Sequence, residues 1–214
     1  MIRNAEYSGG AETSNLDAIV NTLRLRICMS DPDVEQLLYE NKLAAEFGVS
    51  RTPIRYALQR LSYEHLVQTR SGVGSVVAPL DPKAERRDFE VLRGILELAG
   101  ATSTRALVPQ LEFTLRGLAM SLEAIAPEAF SFERHFELRA ALIPMINALI
   151  EDPILAEAHS AAHWRILRRS QGFDAAALTR QHAILSDALA KALSADSGAG
   201  KLTSLAATAT HPAA

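Results

Sequence analysis

The three residues Phe47-Gly48-Val49, set between two short amphipathic segments, constrain this chain most. Upstream, Tyr39 to Phe47 has helical spacing and stops at Gly48, where a residue tolerant of positive φ is expected just past a helix C-terminus. Downstream, Ser50 stands where an N-cap belongs, ahead of a helix predicted from Thr52 to Glu64. Pro53 falls in its first turn, where no hydrogen-bond donor is lost, and Ile54, Leu58 and Leu61 face inward. Two short helices joined this tightly read as a helix-turn-helix. A further helix, Leu16 to Cys28, is predicted ahead of them, with Asn15 as its cap and Ile19, Leu23 and Ile27 on one face; Asp31-Pro32-Asp33 breaks it. After them, a strand at Leu66 to Gln68, the turn Arg70-Ser71-Gly72-Val73-Gly74 and the β-branched Ser75-Val76-Val77 read as a hairpin. Three helices and a hairpin make a winged helix-turn-helix over residues 16–80.

Residues 81–88, opening on Asp81-Pro82, read as a linker, and from Phe89 onward every periodic segment has helical spacing. Helices are predicted at Phe89–Leu107, Leu111–Ala126, Pro127–Ile150, Ile154–Arg169 and Ala175–Leu193, a helical bundle over 89–196. The ends, 1–15 and 197–214, are polar or rich in Gly, Ser, Thr and Ala and read as tails, although Leu202 and Leu205 have the spacing to continue a last helix. The fold class is therefore mainly α, a winged helix-turn-helix followed by an all-helical bundle. At 48% hydrophobic residues a chain of 214 has the material for real cores. A single cysteine, Cys28, permits no internal disulfide and suits a reducing compartment. Met1 to Asn15 carries no apolar stretch of the kind a secretory signal needs, and the longest apolar run, Ala140 to Ile150, falls well short of the roughly 18 residues that span a bilayer. The expectation is a soluble cytoplasmic protein.

The formal net charge of -3 speaks on average against a nucleic-acid partner, but the charge is unevenly spread. Residues 1–50 hold 4 Lys/Arg against 8 Asp/Glu, whereas 51–70 hold Arg51, Arg55, Arg60 and Arg70 against Glu64 alone. Arg51, Thr52 and Arg55 cluster at the N-terminal end of the helix after Gly48, where a recognition helix meets base edges and an arginine donates two bonds to a guanine. A solvated basic helix face is the bland alternative. The adjoining turn and a wing carrying Arg70 and Gly72 favour a DNA surface, since a duplex needs a second contact.

The stretch Leu38-Tyr39-Glu40-Asn41-Lys42-Leu43-Ala44, the turn Phe47 to Arg55 and the wing Gly72 to Val77 resemble the DNA-binding domain of GntR-family transcriptional regulators. The usual Pro-Gly ahead of the second helix is missing, and a contact arginine of some members falls at Asn41. The DNA-facing set that follows is Asn41, Ser50, Arg51, Thr52, Arg55, Arg70, Ser71 and Gly72. The bundle is similar to the FCD ligand-binding domain of the FadR subfamily, through Arg93-Gly94-Ile95-Leu96-Glu97, Phe136-Glu137-Leu138-Arg139 leading to Asp152-Pro153-Ile154-Leu155, and Gln181-His182-Ala183-Ile184-Leu185.

Many members of that subfamily hold a divalent metal on one Asp and three His. The resemblance places Arg139 at the Asp, Ile143 at the first His, His182 at the next and Ser204 near the last, with His211 too far along; one surviving ligand holds no ion. Glu133 and Glu137 as replacement carboxylates point to the flank of their helix, away from the face of His135, Phe136, Arg139 and Ile143. No metal or other cofactor is expected. An inward-facing guanidinium needs an acid. Arg139 either pairs with Glu97 or Asp187 inside the bundle or, with Arg93, His135 and His182, clamps the carboxylate of a small organic acid effector. His159 and His163, four apart, have the spacing of a metal pair, but with no Glu in the HExxH position and no clear third ligand they are assigned to the surface or a dimer face, and Trp164 to packing. Neither a nucleophile elbow nor a phosphate-binding glycine loop is present, so no catalytic residue is expected. The reading is a homodimeric regulator that binds double-stranded operator DNA under control of a small carboxylate. Its alternatives are a DNA-binding dimer with a ligand-insensitive scaffold bundle, or an enzyme with a winged interaction module.

Overall fold

The computed structural model describes residues 9–105 and 109–211. They form two compact units: residues up to Ser30 with Val34–Pro79, and Asp31–Asp33 with Leu80 onward. Residues 1–8, part of the expected N-terminal tail, 106 and 107 of one predicted helix, and 212–214 of the expected C-terminal tail lie outside the described residues.

The first unit runs α1 (Gly9–Met29), β1 (Gln36–Leu38), α2 (Glu40–Phe47), α3 (Arg51–Tyr63), β2 (Gln68–Arg70) and β3 (Gly74–Val77). Helix α1 begins at Gly9, so Asn15 lies inside it and caps nothing. Its inward stripe Ile19, Leu23 and Ile27 is buried with Ile54, Ala57, Leu58 and Leu61 of α3, and burial of each large side chain contributes about 1.5–3 kcal/mol. Gly48 takes φ 65°, the left-handed conformation that ends α2, and its N–H donates to Ala45 O. The turn holds α2 against α3. Arg24 pairs with Glu64 and Arg26 with Glu46, tying α1 to the end of α3 and of α2.

The sheet has three antiparallel strands in the order β1-β3-β2, with Leu37 opposite Val76 and Thr69 opposite Ser75. Strand β1 is absent from the sequence reading because Gln36-Leu37-Leu38 has neither alternation nor β-branched residues. Only pairing with β3 makes it a strand. Strand β2 is shifted from the prediction to Gln68–Arg70: Leu66 and Val67 are buried ahead of it, and the residues that pair are exposed. Gly72 at φ 75° and Gly74 at φ 110° take the wing through its turn.

The second unit begins with a 3-10 turn (Pro82–Ala84), followed by α4 (Glu85–Thr102), α5 (Pro109–Glu123), a 3-10 turn (Pro127–Ala129), α6 (Phe132–Leu149), α7 (Pro153–Ser170), α8 (Ala175–Ser194), α9 (Gly198–Leu205) and a last 3-10 turn (Ala206–Ala209). The side chains of Ser131, Asp152, Asp174 and Ser197 each accept a backbone N–H three residues on, capping α6, α7, α8 and α9 for about 1 kcal/mol apiece. The Ser131 cap splits what the sequence suggested was one helix from Pro127. The expected linker is instead the 3-10 turn and the first turn of α4: Asp88 is buried, and Arg169 donates to it at 2.7 Å and to Asp81 O at 2.8 Å.

Residues 197–211 are not a tail. Leu202 and Leu205 are fully buried among Leu92, Leu96, Ile146, Leu185 and Leu189. Gly100 of α4 admits α9 so closely that an added Cβ would stand 2.7 Å from Thr203 Oγ1.

Candidate functional site

Helix α3 buries one stripe and exposes the other. Arg51, Thr52, Arg55 and Gln59 stand exposed on it, and Tyr56 is 59% and Tyr63 74% accessible. Ser50 occupies the N-cap position with extended backbone, but its hydroxyl makes no capping bond, contrary to the expectation. The helix N-terminus therefore presents its first N–H groups and that hydroxyl together, an arrangement that attracts a phosphate. Asn41 is exposed on α2 and Ser71 and Gly72 at the wing tip. Arg55 Nε donates to Glu40 Oε2 at 2.7 Å, and Arg70 Nη1 to Glu35 Oε2 at 2.7 Å. A groove of about 480 Å³ runs between α3 and the hairpin, lined by Glu40, Arg55, Gln59, Tyr63, Thr69 and Val73 among others. Tyr56, Gln59 and Tyr63 share Thr52's exposed stripe at helical spacing, a pattern present in the sequence.

In the second unit the inward face of α6 carries Arg139 and His135, both fully buried. Arg139 pairs with neither Glu97 nor Asp187: Glu97 faces Arg93 on the exposed side of α4, and Asp187 holds Lys191 on that of α8. Arg93 is thus not brought to Arg139. Instead Arg139 Nη2 donates to Gln181 Oε1 at 2.8 Å and to Thr208 O, and Nη1 lies 3.4 Å from His163 Nε2. His163 Nδ1 lies 3.2 Å from His159 Nε2, and His159 Nδ1 lies 2.6 Å from Asn147 Oδ1. Asn147 Nδ2 donates to Ser160 Oγ at 2.7 Å.

One consistent set of protons satisfies this row: both imidazoles neutral and protonated on Nδ1, every donor pointing away from the guanidinium. Burial agrees with neutrality. It holds His159 at about 3 and His163 well below the ordinary 6.5, with His159, Arg139 and His135 adding to the latter. His135 is held well below by burial and then by Arg139, and burial lowers Arg139 itself to about 10. His159 and His163 therefore lie in the core, not on the surface or a dimer face. The sequence signal was there, an i,i+4 pair on the apolar side of α7.

His135 Nε2 lies 3.1 Å from Ser170 Oγ, and His182 Nε2 3.0 Å from Ile125 O; both rings pack edge-on against Phe130. Of the four expected effector residues, Arg139 meets Gln181, Thr208 and His163, while His135 and His182 share Phe130 as a packing partner and His182 turns its Nε2 to the backbone carbonyls of Leu122 and Ile125. Among the described residues no carboxylate pairs with Arg139 and its Nε has no partner. The four-ligand metal set does not fit here. At the positions that the FCD resemblance would give to ligands, Arg139 brings a guanidinium, His182 Nε2 lies against backbone carbonyls and Ser204 Oγ donates to Gly200 O, and Glu133 and Glu137 are exposed.

The first unit, with its exposed α3 stripe and glycine-tipped hairpin, has the winged helix-turn-helix fold. Residues 16–77 match the family model "Bacterial regulatory proteins, gntR family". The gluconate operon transcriptional repressor of Bacillus licheniformis is 34% identical over 115 residues, 52% of this chain and 47% of that protein. An uncharacterized HTH-type transcriptional regulator of Streptomyces ambofaciens is 49% identical over 61 residues, 28% of this chain and 25% of its own length. The chain spans at most about half the length of these curated relatives. The solved structure of E. coli McbR/YncC superposes with a TM-score of 0.61 at 21% identity, covering 91% of this chain and 93% of the other, so the fold is shared through both units.

Proposed function

We propose that the chain is a homodimeric, cytoplasmic transcriptional regulator that places one α3 in the major groove of each half of a pseudo-palindromic operator. The observation that carries this is the exposed N-terminal turn of α3, with Arg51, Thr52 and Arg55 beside a wing bearing Arg70, Ser71 and Gly72. Asn41 and Ser50 complete the contact surface. Two half-sites explain why a domain this small needs a second copy: one module alone contacts too few phosphates for useful affinity at cellular salt. Titration of a labelled duplex at rising salt tests the reading. A log-log slope of several phosphates supports it, and no salt-sensitive binding refutes it.

A small carboxylate-bearing metabolite, held by Arg139 with His135 and His182, controls operator affinity by shifting the population of winged-unit arrangements. What supports this is a buried cation without an acid. A second reading, a bundle that only holds the dimer together, is favoured by the protein partners Arg139 already has in Gln181, Thr208 and His163. Thermal-shift measurements with small carboxylates, sugar acids including gluconate, acyl-CoA thioesters and divalent metals separate the two. A carboxylate that raises the melting temperature and releases the duplex supports control; no shift with any of them supports the scaffold.

A further inference from the structure

Two of the arginines facing the proposed DNA surface carry an acidic partner, and the two pairs differ in which nitrogen is held. At the wing, Glu35 takes Nη1 of Arg70, one prong of the fork that would grip a base or phosphate. On the recognition helix, Glu40 takes Nε of Arg55, the nitrogen at the root of the fork. Neither terminal nitrogen of Arg55 is bonded among the described residues, and its side chain is 62% exposed. Arg51, one turn earlier, has no acidic partner among the described residues.

We propose that Glu40 is a specificity-determining positioning residue, whose carboxylate fixes the Arg55 guanidinium so that both terminal nitrogens present to one base pair. The inference rests on the DNA-binding reading and goes beyond it. Glu40 opens α2 and Arg55 lies in the second turn of α3, and the Gly48 turn holds the two helices together. The anchor therefore belongs to the rigid body that enters the groove.

Other roles for Glu40 fit poorly. An ion pair this exposed adds little to stability. A carboxylate near a polyanion weakens sequence-independent attraction. What it does supply is order: an unanchored arginine samples many rotamers and serves any phosphate within reach, whereas one held at Nε keeps its planar fork in the geometry that matches guanine O6 and N7. Glu40 itself touches no base in this scheme. It acts through Arg55.

The full-length protein and its Glu40→Gln, Glu40→Ala and Arg55→Ala variants are each used to select duplexes from a random library. Affinities are then measured for the wild-type-selected duplex and for each of its single base-pair substitutions. Arg55→Ala is expected to lose about tenfold discrimination at one base pair of each half-site. Glu40→Ala is expected to lose at least fivefold at that same base pair, with affinity for unselected duplex unchanged or tighter. Glu40→Gln, which keeps an acceptor for Nε but loses the charge, falls between Glu40→Ala and wild type. Discrimination intact in Glu40→Ala, or lowered evenly at all base pairs, overturns the proposal while leaving DNA binding in place. A wild-type protein that captures no duplex at all refutes the DNA-binding reading, and this one with it.

Discussion

Acid should unfold the helical unit well before it protonates most carboxylates, because three of its histidines are buried neutral. His159 takes up a proton in the folded state only near pH 3, whereas in the unfolded chain it does so at the ordinary 6.5. Below pH 6.5 the unfolded state binds the extra proton, so stability is fully present above that value and falls as pH drops toward 3. At pH 5 the loss from His159 alone is about 2 kcal/mol. His135 and His163, also held well below the ordinary value, act in the same direction. Protonation also breaks the row of hydrogen bonds, since His159 Nε2 faces His163 Nδ1 and has no room for a second proton. The assay is direct: the chain has one tryptophan, Trp164, buried in α7, so its fluorescence reports this unit alone. With a urea slope of about 2 kcal/mol/M, the midpoint should fall by about 1 M or more between pH 7.5 and pH 5. Coincident midpoints at the two pH values, or imidazole resonances of the three residues that titrate near 6.5, would refute the reasoning.

Arg139→Met should destabilise the same unit by about 3 kcal/mol in urea titrations: orphaned acceptors at Gln181, Thr208 and His163 outweigh the relief of burying no charge. A variant as stable as wild type would show the network is dispensable. Arg51→Ala should weaken a selected duplex by about 1–3 kcal/mol if it reads a base, or lower the salt slope by about one if it meets a phosphate; a titration with neither change removes it from the interface. Leu202→Ala should cost about 2–5 kcal/mol of unfolding free energy, where a loose tail would lose almost none.

The parts of the fold legible in the sequence are those set by local chemistry. Gly48 at the turn, Pro53 in the first turn of α3, the stripe Ile54, Leu58 and Leu61, and the glycines of the wing each act within a few residues of themselves, and each lies where periodicity and turn preference put it. Strand β1 is not legible there, because its identity comes from pairing with β3, Gln36 opposite Val77 and Leu38 opposite Ser75, far along the chain. Residues 197–211 read as a tail because Gly, Ser and Ala carry little hydrophobic signal. Those small residues are what let α9 approach Gly100 and bury Leu202 and Leu205.

By itself the chain's order of residues determined that two kinds of unit are joined here, a basic-faced winged helix and a helical bundle, and that Arg139 turns inward from an apolar face. Tertiary structure alone decided what that arginine meets. Glu97 and Asp187, the acids reachable on paper, lie on outward faces; Gln181, Thr208 and the His163–His159–Asn147 row close around it because α6, α7, α8 and the segment after α9 converge there. Spacing along one helix says which way a side chain points. Which group stands opposite depends on how several helices pack, and that is a property of no single segment.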